Sequence, residues 1–259
     1  MILENKVVVV SGIGPGLGQE LAYGAAREGA KVVLAARSQD KLAEVHRNIE
    51  AAGGSALVVP TDITDPAACA NLVRETNDRW GRIDALLNSA YQPGAFVEAA
   101  EADLSDWRAT METNLFGTMT LTQAVVPVMK RQRSGSIVMI NSMITKKPLP
   151  TQAGYAASKG ALEAATKVMA KELGPSGIRV NAVFMGWMWG PPVEMFVQMS
   201  ADAQGVDQQT IIDGVTQNIP LGFIPDDADC ANAALFLASD LARVITGASL
   251  DVNGGEFMS

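Results

Sequence analysis

The chain has 259 residues, 48% hydrophobic and 19% charged, with a formal net charge of −8; that is enough apolar material for a continuous core, which excludes disorder, and the acidic balance argues against a nucleic-acid partner, whose phosphates need a basic surface. No apolar stretch is long enough to span a bilayer, so no membrane partner is expected, and the two cysteines, Cys69 and Cys230, lie far apart without partner motifs, which argues against a disulfide framework and for a reducing, cytoplasmic location. The single histidine, His46, lies on a polar helical segment where an exposed position is expected, so a serine hydrolase with a histidine base and a His-ligated zinc centre are both poor readings and no metal is expected.

Met-Ile-Leu-Glu-Asn-Lys leads directly into an apolar run and predicts no signal peptide. Lys6 to Val10 reads as the first strand, followed by Ser11-Gly12-Ile13-Gly14-Pro15-Gly16-Leu17-Gly18 and a helical pattern beginning at Gln19. In such a strand, turn and helix, Gly12 permits the tight turn, Gly16 lets backbone approach a pyrophosphate and Gly18 lets the helix pack closely on the strand, while the free amides at the helix start attract the anion. Further strands are predicted at Lys31 to Ala35, Ala56 to Val59, Ala85 to Asn88, Ser136 to Asn141, Arg179 to Val183 and Ser249 to Val252. Helices fill the intervals. Ser38 is expected to cap one of them, with Asp40 in its first turn; Pro66 begins another, and Pro127 is expected to kink the long helix between Asp103 and Arg131. This alternation predicts βαβ units around a parallel sheet, and with no repeat, low-complexity tract or linker, residues 1–259 read as one domain.

The helix from Gln152 to Leu173 carries Tyr155 and Lys159 on one face, one turn apart. A cation there stabilises a phenolate and lowers the phenol from its free pKa of ~10 toward the range of a general acid or base. Such a pair is common on solvated helix faces; beside the glycine-rich turn it points to proton transfer at a carbon-bound oxygen.

Five signals in order, Ser11-Gly12 through Gly18, Asp62 after the third strand, Asn88-Ser89-Ala90 after the fourth, Asn114, and Ser142 with Tyr155 and Lys159, make the chain resemble the short-chain dehydrogenase/reductase family over essentially its whole length. The resemblance implies an α/β fold, a Rossmann-like doubly wound parallel sheet of about seven strands with helices on both faces, and a nicotinamide dinucleotide across the strand carboxyl ends. Tyr155 is then the acid that protonates a carbonyl oxygen or the base that takes a hydroxyl proton. Lys159 holds the nicotinamide ribose and lowers the tyrosine pKa, Ser142 hydrogen-bonds the substrate oxygen, and Asn114 steadies a water of the proton relay. Plainer roles stay open: Ser142 as a strand-ending cap, Asn114 as a partner for backbone groups.

By the same resemblance the cofactor meets Gly12, Gly14, Gly16, Leu17, Gly18, Arg37, Ser38, Asp62, Ile63, Asn88, Gly186 and Met188, besides Tyr155 and Lys159. Ala36 stands where NAD-selective members carry an acid, and Arg37 follows, which favours NADP(H); NAD(H) stays possible, since Gly14-Pro15 offers no basic or hydroxyl side chain. Two departures from the family pattern concern the active cleft. Tyr91 replaces a glycine after Asn88-Ser89-Ala90, and Gly190 replaces the threonine whose side chain contacts the nicotinamide amide, leaving the backbone of Met188 for that contact.

The substrate-covering segment, about 186–223, is rich in Trp, Met and Phe, so Tyr91, Trp187 and Trp189 are expected pocket residues for a bulky or hydrophobic small molecule, although such apolar faces also serve ordinary packing. The expected function is hydride transfer between NADP(H) and a secondary alcohol or ketone. An NAD-dependent alcohol dehydrogenase with the same residues is the first alternative, and a non-catalytic dinucleotide sensor the second. By the same resemblance a homo-oligomer, tetramer or dimer, is implied through the helices Asp103 to Arg131 and Gln152 to Leu173 together with the C-terminal strand.

Overall fold

Valines buried on both faces are what a central parallel strand requires when helices cover the sheet from either side. In the computed structural model, which describes residues 1–258, the chain runs β1 (Val7–Ser11), α1 (Leu17–Arg27), β2 (Lys31–Ala36), α2 (Gln39–Ala51), β3 (Ser55–Pro60), α3 (Pro66–Trp80), β4 (Ala85–Asn88), α4 (Leu104–Met111), a π-helical turn (Glu112–Gly117), α5 (Thr118–Gln132), β5 (Gly135–Ser142), α6 (Ala153–Leu173), β6 (Ile178–Met185), α7 (Pro191–Gln204), α8 (Gln208–Thr216), α9 (Asp227–Ala238) and β7 (Ser249–Val252). The seven strands pair in parallel in the order β3-β2-β1-β4-β5-β6-β7. This is the Rossmann-like doubly wound sheet.

Alternation along β1 divides the core. Val8 and Val10 enter an apolar cluster with Leu21 of α1, Leu42 of α2 and Leu235 of α9, whereas Val7 and Val9 enter a second with Leu72 of α3, Val125 of α5 and Leu162 of α6. Each fully buried valine or leucine contributes about 1.5–3 kcal/mol, so the sheet is clamped from both faces by comparable layers. The winding reverses between β1 and β4, whose paired ends, Ser11 and Asn88, open a crevice at the carboxyl edge.

Helix ends follow local chemistry. Asp65 caps α3 by accepting from the Ala67 amide at 2.8 Å, Pro66 occupies the first turn, and Gly81 closes the helix at φ 72°. Ser38 stands at the N-cap of α2 with Asp40 in the first turn, but its hydroxyl makes no capping bond.

Several expectations need correction. Strands β5 and β6 extend beyond their expected ends, because their mutual ladder continues in register to Ser142 and Met185, past the polar end of one run and on through the buried Phe184 and Met185 of the other. The break in the long helix falls not at Pro127, which lies inside continuous α5, but at the π turn Glu112–Gly117. His46 is half-buried rather than exposed, with Nε2 3.9 Å from Glu50 Oε1. Among the described residues no helix is long and apolar enough to cross a membrane, and no group of three or more His, Cys, Asp or Glu could hold a metal ion.

Candidate active site

The carboxyl ends of β1 to β6 deliver most of the cleft, with further residues from the starts of α2, α7 and α9. After β1 the chain turns so tightly that a Cβ on Gly18 would collide with the Gly12 carbonyl, which brings the start of α1 down onto the strand. Gly16 takes φ +93°, the left-handed region, and leads into the first turn of α1. A Cβ on Gly14 would meet nothing within 4 Å, so this glycine faces open space.

Ser142 ends β5, and Tyr155 and Lys159 lie in the first two turns of α6, which packs against that strand. Lys159 Nζ donates to the Ile140 carbonyl at 2.7 Å and stands 5.7 Å from the Tyr155 ring centre. Asn141 pins the same turn, its amide donating to the Lys159 carbonyl at 3.1 Å while its Oδ1 accepts from the Ser142 amide at 2.8 Å. Burial pushes the Lys159 ammonium down to about 8. Burial also pushes the Tyr155 phenol above its ordinary value; the Ser142 hydroxyl pulls it down, and Tyr91 adds to the rise. The lowering of the phenol expected from Lys159 is not what the site shows: desolvation is the largest influence, and the pull that opposes it comes from the Ser142 hydroxyl. The Ser142 hydroxyl also accepts from the Ile144 amide at 3.3 Å, so it caps the strand end as well as facing Tyr155.

Two cavities, of about 240 and 440 Å³, share Gly12, Gly14, Ser89 and Tyr91 as walls. The first holds Gly16, Leu17, Gly18, Ser142, Tyr155, Lys159, Gly186, Trp187 and Met188; the second holds Arg37, Ser38, Asp62 and Ile63. Tyr91, 52% exposed, packs edge-on against Tyr155 with ring centres 6.3 Å apart, and Trp187 packs on Phe196 at 5.2 Å. Asp62 accepts from both the amide and hydroxyl of Thr64 at 2.9 and 2.7 Å; these bonds, with a smaller contribution from the Arg37 charge, hold its carboxyl below the usual range. An elongated cleft with a helix N-terminus and an unobstructed glycine at its waist, a cation at one end and a phenol at the other, fits a dinucleotide.

Three expected residues do not reach the cleft wall. Asn88 is buried beneath it, donating to Thr122 Oγ1 at 3.1 Å, with its own Oδ1 unpartnered. Asn114, fully buried in the π turn, accepts from the Gln92 amide at 2.7 Å and donates to the Gln92 carbonyl at 3.0 Å and Ser158 Oγ at 2.9 Å. It thereby ties the loop after β4 to α6, because Ser158 in turn donates to the Tyr155 carbonyl at 2.7 Å. Trp189 is held through its backbone, donating to the Pro225 carbonyl at 2.7 Å, and does not line either cavity.

The structure adds residues the sequence reading missed. Lys41 joins Arg37 in the second cavity; a cation in the first turn of α2 was the available signal, since helical side chains lean toward the N-terminus. Asp227 joins the first cavity from the start of α9, with no local sign beyond the Asp226-Asp227 pair.

Comparison with known proteins agrees with this geometry. A family model described as enoyl-(acyl carrier protein) reductase matches residues 12–256. The chain is 34% identical over 255 residues to the 2,5-dichloro-2,5-cyclohexadiene-1,4-diol dehydrogenase LinX of Sphingobium indicum, covering 98% of this chain and 96% of that one. It is 33% identical to the 3-oxoacyl-[acyl-carrier-protein] reductase FabG of Thermotoga maritima, covering 98% and 99%. Among solved structures, a variant of actinorhodin polyketide ketoreductase with NADPH superposes with a TM-score of 0.90 at 30% identity, covering 97% of each chain. A glycine-rich turn, a doubly wound sheet and a Ser-Tyr-Lys cluster thus occur together with full-length likeness to dehydrogenases and reductases, and the chain belongs to the short-chain dehydrogenase/reductase family of oxidoreductases, which act on CH–OH and C=O groups with a nicotinamide dinucleotide.

Proposed function

We propose that this chain reduces a ketone of bulky or hydrophobic character with NADPH, and runs the reverse oxidation of the secondary alcohol, with Tyr155 as the general acid/base. The observation that carries the reading is the meeting of Ser142, Tyr155 and Lys159 on the wall of one cavity, with Lys159 Nζ 5.7 Å from the Tyr155 ring centre and a phenol that burial keeps in its protonated form. A phenol kept in its acid form is suited to donate to an oxygen on which negative charge develops. The dinucleotide, when bound, supplies the hydride. In reduction the carbonyl carbon gains that hydride and its oxygen takes the Tyr155 proton. Ser142 orients the oxygen, and Lys159, fixed on the Ile140 carbonyl, places a positive charge below the phenol that eases the loss of its proton. Asn114 holds the Gln92 loop and, through Ser158, the turn that carries Tyr155.

The preference for NADP(H) is supported by Arg37, Ser38 and Lys41 along the second cavity, with Asp62 already engaged by Thr64. Two cations beside a free hydroxyl suit a 2′-phosphate better than a bare ribose hydroxyl. Tyr91 and Trp187 give the reacting end its aromatic walls. A panel of hydrophobic ketones and alcohols, followed by nicotinamide absorbance, tests the reaction, and fluorescence titration with NADPH and NADH tests the cofactor; NADH binding as tight as NADPH would overturn the preference. The diol dehydrogenase relative favours a second reading, an NAD-linked alcohol dehydrogenase using the same residues in the oxidative direction.

Copies of the chain are proposed to associate through α4, the π turn with α5, and α6, where Leu104 of α4, Phe116 of the π turn and Val168 of α6 are more than half exposed. A monomer mass by light scattering would end that assignment. Both cysteines are free and buried, in keeping with a reducing, cytoplasmic compartment.

A further inference from the structure

One carboxylate in the cleft has no part in the scheme above. Asp227, in the first turn of α9, is 8% exposed and lines the cavity with Gly14, Gly16, Leu17 and Met188. Its Oδ2 lies 2.7 Å from where a Cβ on Gly16 would stand, and a Cβ on Gly190 would collide with it. Gly16 is the N-cap of α1 and Gly190 the N-cap of α7, so the carboxylate is wedged between two helix N-termini at the cradle where an anion is expected. Among the described residues no donor hydrogen-bonds its side chain and no cation pairs with it. The charged groups that face it are acidic on every side: Glu20 from α1, Glu194 from α7 and Asp226 from its own turn, with the neutral Tyr91 phenol across the cavity. Burial first, then Glu20, Asp226 and Glu194, push its carboxyl up to about 6.

A carboxylate largely withdrawn from water and without a protein partner is costly to ionise, and a dinucleotide pyrophosphate that displaces the cavity's solvent at the same cradle makes its ionised form costlier still. We propose that Asp227 is a cofactor-site residue that takes up a proton when the dinucleotide binds, its neutral carboxyl then donating a hydrogen bond to the bound pyrophosphate. The proposal rests on the reading that a dinucleotide occupies this cleft. Binding then consumes one proton from solvent, and the cleft discriminates between ligands by their charge at the cradle. Because the ionised form dominates above pH 6, affinity falls by about tenfold for each pH unit above neutrality until the pKa of the complex is reached.

The probes are NADH and ADP-ribose, which carry the pyrophosphate but no 2′-phosphate of their own to titrate. Their dissociation constants are measured from pH 5.5 to 8.5 by fluorescence quenching and by competition, and proton uptake at pH 8 by calorimetry in two buffers of different ionisation enthalpy. The wild type should weaken steeply toward pH 8.5 for both probes and take up close to one proton. Asp227→Asn, an isosteric neutral change whose folding is checked by its melting curve, should lose that pH dependence and bind both probes at least tenfold more tightly at pH 8. Three results overturn the proposal: a flat wild-type profile, an unchanged profile in the variant, or weaker binding of NADH alone by the variant, which would make Asp227 an ionised acceptor for the nicotinamide amide. Failure of both probes to bind at any pH would instead remove the dinucleotide reading beneath it.

Discussion

Lys159 and Arg37 are both cations facing one cleft, yet they are built into it in opposite ways. Lys159 is 3% exposed, bonded to the Ile140 carbonyl and held on a long helix whose turn is pinned by Asn141 and Ser158. Arg37 stands exposed at the end of β2, beside a cap residue that makes no capping bond. At the first end the protein has fixed positions and shifted protonation states; at the second it offers charge at the tips of flexible side chains in high dielectric, where single interactions are weak. The reaction is therefore written into buried geometry, whereas the choice of cofactor rests on a few exposed side chains and can change with little disturbance to the fold.

The contrast can be broken first at Tyr155. Tyr155→Phe should lower kcat by about 10²- to 10⁴-fold with dinucleotide affinity retained, measured by steady-state absorbance and fluorescence titration; full activity would remove the proposed mechanism. Next in size is Gly18→Val, whose side chain would meet the Gly12 carbonyl. It should destabilise the protein by about 1–3 kcal/mol in urea and abolish dinucleotide binding, because the turn can no longer sit against β1. Lys159→Met tests the buried end by pH. The folded pKa of about 8 lies below the ordinary value of 10.5, so between these values the unfolded chain binds more protons and wild-type stability rises with pH through that window. The variant should lack this rise, which amounts to a few kcal/mol at most, read as the difference between melting curves from pH 7.5 to 10. The smallest effect belongs to the exposed end: Arg37→Ala with Lys41→Ala should weaken NADPH roughly ten- to hundredfold and leave NADH nearly unchanged, with the melting temperature unmoved.

What could be read from sequence follows the same divide between local pattern and long-range approach. The strands were legible because parallel strands buried on both faces appear as unbroken apolar runs, and the Tyr155–Lys159 pair because one helical turn joins them. The π turn was not, since Glu112 to Gly117 carries no proline and a lone glycine does not distinguish a π turn from a helix end, whereas Pro127, the conspicuous breaker, is accommodated by α5. Asn114 was found, but not its bonds to Gln92 and Ser158, 22 and 44 residues away. Trp189 looked like a pocket residue on hydrophobicity alone; its backbone bridge to Asp226 was invisible in the sequence. Asp227 reads in the chain as an ordinary first-turn acid, and only folding sets it against Gly16 and Gly190.

The shared wall of Gly12, Gly14, Ser89 and Tyr91 between the two cavities has a practical consequence for inhibitor chemistry. A small anionic fragment seated near Arg37 and Lys41 and a small aromatic fragment seated near Trp187 and Tyr155 would be neighbours rather than strangers. A short tether over Gly14, where nothing obstructs the path, would make the second contact intramolecular, so that two weak millimolar fragments joined this way could gain about 10²- to 10⁴-fold without any new interaction.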